Sequence, residues 1–281
     1  MNKRKLFKKL RRQNRIQHKP TYIEQLKRYY HLFNHYLTIK FLINNVLESD
    51  RLLQRKQLPQ DLPKLLLPDD IQNIIFKRVN KKYPKGDTRG DRLWNKYSDA
   101  LPKLDKLLRS YRDYLENEYG MWAYISAPFA ADLAHFIGPK AKALEVMAGN
   151  GYVSKGLRDH DVHVYCTDSL AWTKQNETGK HLVTQVEKLD ALSAFQKYQD
   201  QINYIIMCWS PDGVPVDWQL LQAVRKSGRD IPMIVIGEKN GATNSKPFWQ
   251  HAHFIQNDAV KKLNRHHQSF DLMHDHVYLI K

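Results

Sequence analysis

The chain has 281 residues, 42% hydrophobic and 26% charged, with a formal net charge of +16. This composition supports a real core in one or two domains and excludes a disordered chain. Only two cysteines, Cys166 and Cys208, are present, at a spacing that suits neither a disulfide framework nor a zinc site; no uninterrupted apolar run of about 18 residues marks a membrane span, so a reducing, cytoplasmic setting is expected.

Charge is unevenly placed along the chain. Residues 1–115 hold 28 Lys/Arg against 11 Asp/Glu, a net +17, whereas residues 116–281 hold 17 against 18, a net −1. Such an imbalance points to a polyanionic partner for the first part. Residues 3–15 form a basic arm of eight Lys/Arg and no acid, expected to be disordered alone. No apolar stretch follows it, which argues against a secretory signal. Over residues 20–49 the apolar positions Ile23, Leu26, Tyr30, Phe33 and Leu37 recur at three and four, predicting one amphipathic helix. Thr21 is its expected N-cap, and Glu24 completes a capping box.

Residues 52–67 are broken by Pro59 and Pro63, with Pro68 following, and read as a short helix plus loop. Asp69 or Asp70 is expected to cap a helix running through Val79. Residues 83–90 read as a loop, and 91–118 as helix interrupted near Pro102. Cations and aromatics interleave here: Lys77, Arg78, Lys81, Lys82, Tyr83, Lys85, Arg89, Arg92, Trp94, Lys96 and Tyr97. Phosphate contact plus base stacking uses that mixture; a solvated helix face over core aromatics would show it too. Lys77, Arg78, Lys81, Lys82, Lys85, Arg89 and Arg92 are the candidate nucleic-acid contacts, with RNA expected ahead of DNA. An acidic protein is the alternative partner, and no membrane is expected.

From Lys140 the texture changes. Strands are predicted near 142–148, 163–168, 183–187, 203–209 and 232–237, with helical patterns between them, which implies a mostly parallel sheet covered by helices on both faces. Two more strand-like runs, 268–273 and 276–280, predict a closing antiparallel hairpin.

The densest signal is Glu145-Val146-Met147-Ala148-Gly149-Asn150-Gly151-Tyr152, between the first predicted strand and a helix at 153–158. The second strand ends seventeen residues beyond Gly151, in Asp168. An acid, a glycine turn and a second acid in this order form a pocket for an adenosine-bearing cofactor: the turn admits the ligand closely and the second acid accepts from ribose hydroxyls. Gly149-x-Gly151-x-x-Ser154 nearly matches the dinucleotide fingerprint, with Ser154 in place of its third glycine. A carboxylate on the strand, however, gives a pyrophosphate nothing, whereas it suits the amino group of a methionine moiety.

Further segments agree. Tyr119-Gly120-Met121-Trp122-Ala123-Tyr124-Ile125-Ser126 precedes the turn, Cys208-Trp209-Ser210-Pro211-Asp212-Gly213 follows the fourth strand, and Ile236-Gly237-Glu238-Lys239-Asn240-Gly241-Ala242-Thr243-Asn244-Ser245 follows the fifth. Together, over roughly residues 119–255, they resemble one uncharacterised group of class I S-adenosylmethionine-dependent methyltransferases. That group carries Trp-Ala-Ile/Val-Pro, Glu-x-Gly-Ala-Gly-x-Gly-Tyr, Trp-Pro-Pro-Tyr-Gly and Gly-Glu-x-x-Gly-Cys-Thr-Gly in this order. Here Met147 stands at the first glycine, Ser210 at the first proline, Asp212 at the tyrosine and Ala242 at the cysteine.

The resemblance implies a Rossmann-like, seven-stranded, mostly parallel sheet over residues 119–281, preceded by a basic helical region at 19–118 and the arm at 1–18. It implies S-adenosylmethionine as cofactor. Glu145 would bind its methionyl amino end, while Met147, Ala148, Gly149, Gly151 and Cys208 line it. Asp168 would hold the ribose, and Asp190 contact the adenine or else simply cap a helix. Trp209, Ser210, Pro211 and Glu238 are the candidate catalytic residues; a core role for Trp209 and a surface cap for Glu238 are the plainer alternatives. His251, His253, His266, His267, His274 and His276 lack a ligand-pair spacing, so no metal is expected. Two other functions remain open: a non-catalytic nucleic-acid-binding protein on a degenerate methyltransferase fold, and a NAD-dependent oxidoreductase.

Overall fold

The computed structural model describes residues 20–281; the expected basic arm at 1–18 lies outside them. The chain divides into two compact units, one of residues up to Ile43 with Asp69–Leu107, the other of Asn44–Pro68 with Leu108–Lys281.

The first unit is helical. α1 spans Tyr22–Leu32 and opens with the predicted capping box: Glu24 N donates to Thr21 Oγ1 and Thr21 N to Glu24 Oε2. The single helix expected over 20–49 is broken at residues 33–36, after which α2 spans Leu37–Gln54. The break lets Phe33 stack on Tyr97 at 5.4 Å while Tyr36 meets the same ring edge-on. α3 spans Ile71–Lys82 with Asp70 at the N-cap position but making no side-chain cap bond. α4 spans Thr88–Arg109, starting inside the expected loop because Asp87 takes the Arg89 N–H at 2.8 Å. It runs through Pro102, where a break was expected: Leu101, Leu104 and Leu108 are buried, and their packing outweighs the lost backbone bond.

The unit boundary falls at 107/108 instead of 118/119. α5 (Tyr111–Tyr119) belongs with residues 44–68 through a buried polar cluster. Asp50 Oδ1 accepts from Tyr114 Oη at 2.7 Å and Tyr119 Oη at 2.5 Å, and Tyr111 Oη donates to Ser49 Oγ at 2.8 Å.

The second unit continues with α6 (Ala127–Ile137), β1 (Lys142–Val146), α7 (Tyr152–Arg158), β2 (His163–Asp168), a 3-10 turn (Ala171–Lys174), β3 (Glu187–Lys188), α8 (Ala191–Tyr198), β4 (Tyr204–Cys208), α9 (Val216–Lys226), β5 (Met233–Gly237), α10 (Lys246–His251), β6 (Phe254–Ile255), α11 (Asp258–Leu263) and β7 (His276–Ile280). The strands form one seven-stranded sheet in the order β3-β2-β1-β4-β5-β7-β6. β1 to β5 pair in parallel, and β7 is antiparallel to both β5 and β6. This is the Rossmann-like sheet expected from the sequence. Side chains alternate across it. Leu144, Val146, Ile205, Met207, Met233 and Val235 meet α8 and α9 through Phe195, Leu220, Leu221 and Val224.

Two strand expectations are corrected. Residues 183–186 are not strand; Val183 N bonds Asn150 O, while Thr184 and Val186 press on Gly151. Residues 268–273 are irregular, since the backbone oxygen of Phe270 pairs with Leu65 N at 2.8 Å; the partner of β7 is the two-residue β6.

Asp50 is 4% exposed and serves two tyrosine hydroxyls. Asp50→Ala should lower the unfolding free energy by about 2–4 kcal/mol, because both donors lose their acceptor, while Asp50→Asn retains part of it. Urea denaturation measures this; a loss under about 0.5 kcal/mol would mean the cluster is not holding α5.

Candidate functional site

The strand order reverses between β1 and β4, and open sheets of this kind bind ligands at such a point, beyond the carboxyl ends of the strands. The glycine turn leaves β1 there and residues 209–213 leave β4. A cavity of about 600 Å³ opens at the same place, lined among others by Glu145, Met147, Ala148, Gly149, Asp168 and Asp190. That volume lies in the range of small-molecule sites.

Glu145 occupies an inward position of a central strand and is 1% exposed. Its Oε2 accepts from Ser154 N at 2.8 Å, from Ser154 Oγ in a short bond, and from Cys166 Sγ at 3.8 Å. Oε1 has no protein partner among the described residues. Burial raises the carboxyl to about 7 against the pull of those hydrogen bonds. The position that breaks the dinucleotide fingerprint therefore has its own use: Ser154 ties the strand acid to the first turn of α7.

Asp168 ends β2, 4% exposed. Oδ2 accepts from Gly149 N at 2.8 Å and Oδ1 from Leu170 N at 2.6 Å. A carboxylate has about four acceptor sites, so two remain for a ligand's hydroxyls. Burial raises its pKa as well. Gly149 has φ +56°, and a Cβ there would sit 3.3 Å from Thr178 Cγ2 in the cavity wall. Gly151, expected against the cofactor, is behind the turn instead. A Cβ on it would meet Thr184 Cγ2 at 2.8 Å, so its role is packing. Asp190 lines the cavity and caps α8, accepting from Leu192 N, Ser193 N and Ser193 Oγ.

Met147 lines the cavity at φ +53°, a conformation uncommon for a side-chain-bearing residue, with Sδ 3.8 Å from Ser210 Oγ. On the β4 side, Cys208, Trp209, Ser210, Pro211 and Asp212 all line the cavity. Trp209 also has positive φ, at +52°. Its Nε1 donates to Asp275 Oδ2 at 3.0 Å, and the Arg112 guanidinium lies 4.9 Å from its ring centroid. Burial pushes Asp275 up, but His267 at 3.3 Å, Arg112 and the Trp209 bond outweigh it and hold the carboxyl at about 2. Burial also pushes the Cys208 thiol well up, which disfavours the thiolate there.

Glu238 is the candidate that does not reach the site. It braces its own loop, with Oε2 accepting from Ala242 N at 3.0 Å and Oε1 from His274 N at 2.9 Å.

Several lining residues were not singled out by sequence: Arg112, Glu116, Trp172, Asn176, Thr178 and Met273. Arg112 and Glu116 could have been suspected as charges flanking the apolar stripe Tyr111, Leu115 and Tyr119.

In the first unit, all seven candidate phosphate contacts are exposed. Arg78 bonds His35 O at 3.3 Å, Arg89 pairs with Asp87 at 2.8 Å, Arg92 Nε donates to Thr88 O, and Lys82 lies 5.4 Å from the Tyr83 ring centroid. Lys77, Lys81 and Lys85 make no ion pair among the described residues. Tyr97 is core, whereas Phe76 is 48% exposed and meets Trp94 edge-on.

No family model matches the sequence, and no curated protein matches it. Among solved structures the chain is similar to a protein of the NADB-Rossmann superfamily from Streptococcus agalactiae, at 14% identity and a TM-score of 0.32 over 54% of this chain and 67% of that one. It is similar to TrmK of M. capricolum in complex with S-adenosyl-homocysteine, at 15% identity and 0.32 over 54% and 66%. A third is human N-acetylserotonin methyltransferase in complex with SAM, at 9% identity and 0.33 over 54% and 51%. The chain thus spans about half to two thirds of the length of these structures. What those proteins bind is theirs; what this cavity can hold follows from its own residues.

With Glu145 raised to about 7 and an unfolded glutamate near about 4.3, the folded form binds the proton more tightly. The stability this contributes is full below the unfolded value and is lost as pH rises toward 7. Glu116, raised to about 7 by burial, adds to the same fall. Urea titrations from about pH 4.5 to 7.5 should therefore show a shallower decline for Glu145→Gln than for wild type. Identical slopes would mean Glu145 does not titrate in that window.

Proposed function

We propose that the cavity takes S-adenosylmethionine and that the protein is a methyltransferase. The observation that carries this reading is the convergence of Glu145, Asp168 and Asp190, from the ends of β1, β2 and β3, on one cavity around the glycine turn. The donor set fits the group. Glu145 Oε1, on a residue that lines the cavity, has no protein partner among the described residues and suits the methionyl ammonium; Asp168 keeps two acceptor sites for ribose hydroxyls. Ala148 and Gly149 leave room beside them, and Trp172 and Ala191 add apolar wall on the Asp190 side. The cofactor would supply a methyl group already activated on sulfonium, so the chain's task is to bind, orient and exclude water. Trp209, Ser210 and Pro211, at the end of β4, would wall the acceptor side.

A second reading, non-catalytic nucleic-acid binding on a degenerate fold, draws on Met147, whose side chain occupies cavity wall where the resembled motif has glycine. Calorimetric titration separates the two. S-adenosylmethionine and S-adenosyl-homocysteine should bind and NAD should not. Gly149→Val should abolish binding with the fold retained, and Asp168→Ala should weaken it by about 1–3 kcal/mol. NAD binding alone, or no binding at millimolar cofactor, would retire the methyltransferase reading.

The acceptor we propose is nucleic acid, RNA ahead of DNA, held by residues of the basic first part. Support comes from the net +17 of residues 1–115 and from the unpaired, exposed Lys77, Lys81 and Lys85. RNA affinity should fall with salt at a log–log slope of roughly −0.7 to −0.9 per phosphate contact. Lys77→Glu/Lys81→Glu/Lys85→Glu, or deletion of residues 1–18, should flatten that slope and leave cofactor affinity unchanged. Salt-independent RNA binding, or none at low salt, would favour an acidic protein partner.

A further inference from the structure

The cavity has a second end that the cofactor acids do not serve. Glu145, Asp168 and Asp190 lie at the ends of β1, β2 and β3; residues 208–214, Ala242, Thr243 and Met273 wall the side of β4 and β5. Arg112 of α5 belongs to this second side, since its guanidinium lies 4.9 Å from the Trp209 ring centroid and grips Asp271 at 2.5 Å. Its Nη1 donates to Trp122 O at 2.6 Å, so all three of its nitrogens bond protein. One turn further along α5, Glu116 also lines the cavity. Its carboxylate makes no hydrogen bond or ion pair among the described residues, although Arg112 is its neighbour at i−4. Trp209 lines this end, whereas the Trp122 indole N–H donates to Thr178 Oγ1 on the side of Gly149.

We propose that Glu116 is the acceptor-binding carboxylate: this end of the cavity takes an amino group carried on a planar ring, with the N–H donating to Glu116 and the ring against Trp209. The proposal rests on the methyltransferase reading. Three observations support it. Glu116 has acceptor capacity to spare at this end and, unlike Asp212, is partly buried. The cavity is lined by five carboxylates, Glu116, Glu145, Asp168, Asp190 and Asp212, against the single guanidinium of Arg112. An acceptor that brought a carboxylate or phosphate to this end, beside Glu116 and Asp212, would meet repulsion that an amine would not. Finally, burial raises Glu116 to about 7, with Arg112 lowering it and Asp113 and Asp271 raising it. A carboxylate poised there can accept the N–H of a neutral ring amine and take the proton that the nitrogen must lose on methylation, ending as a neutral acid beside a neutral methylated amine.

The test uses the full-length protein saturated with S-adenosyl-homocysteine, and benzylamine as probe with benzyl alcohol as its neutral control, read by tryptophan fluorescence and calorimetry. Benzylamine should bind at least about tenfold more tightly than the alcohol, as a charge-assisted hydrogen bond predicts. Its affinity should rise from about pH 6 to 8 as Glu116 ionises, the probe staying protonated throughout. Glu116→Gln should remove both the preference and the pH dependence without changing S-adenosyl-homocysteine affinity; Glu116→Asp should restore part of each. Unchanged benzylamine binding in Glu116→Gln, or a flat pH profile in wild type, overturns the assignment. Failure of wild type to bind S-adenosyl-homocysteine is a separate outcome: it fails the methyltransferase reading and removes the acceptor role with it.

Discussion

The bond between Glu145 and Ser154 is the constraint on which the site depends. A carboxylate buried on a central strand is costly unless it is hydrogen-bonded. Here the partners come from the first turn of α7, which the chain reaches only by reversing sharply through residues 147–151. Gly151 N closes that turn on Ala148 O at 2.8 Å. Asp168 then fixes the turn from the neighbouring strand by accepting the Gly149 N–H. Two acids thus hold the glycine turn in place through one pair of oxygens and keep further acceptor capacity toward the cavity. Structure and binding capacity are therefore not separate properties of these residues: the bonds that set the loop also aim the free lone pairs.

A second chain of contacts sets the opposite wall. His267, 6% exposed, lies against Asp275; Asp275 accepts from Trp209; Trp209 lies beside Arg112; Arg112 closes on Asp271. A tryptophan at φ +52° persists only where its surroundings over-determine it. The indole N–H bond supplies one constraint and the guanidinium another. This explains how the loop after β4 keeps a defined wall although Ser210 stands where the resembled motif has its first proline. Asn244 N adds a backbone bond to Ser210 O at 2.8 Å.

What the sequence revealed and what it hid have a common cause. The strands, the glycine turn and the acids at β1 and β2 are encoded within short windows, by alternation and by turn chemistry, so they were legible. The break at residues 33–36 was not, because Phe33 and Tyr36 turn toward Tyr97, some sixty residues away. Pro102 misled for the same reason: buried leucines on either side hold a helix that its local chemistry disfavours. The short β6 and the false strand at 268–273 exchanged roles because backbone pairing with Leu65 is non-local. Glu238 had the right address, the end of β5, but its carboxylate closes on Ala242 and His274. Arg112 and Glu116 reach the cavity through packing of α5, a tertiary event with only a faint trace in spacing.

Charge is divided unevenly within the one chain. Lysine and arginine dominate residues 1–115, whereas carboxylates dominate the cavity lining. A polyanion held by the first set would gain from its cations, and the same polyanion would be repelled from the cavity. Any phosphate-bearing partner must therefore keep its backbone outside and offer only an uncharged or cationic group inward. A flipped or unpaired base meets that condition, since its ring carries no phosphate and its amino groups are donors. A free nucleotide, with phosphate close to the reacting ring, would meet it less well. In the proposed reading, selectivity follows from this opposition more than from any single contact: the basic residues favour a long anion, and the acidic cavity admits only the part of it that is not one.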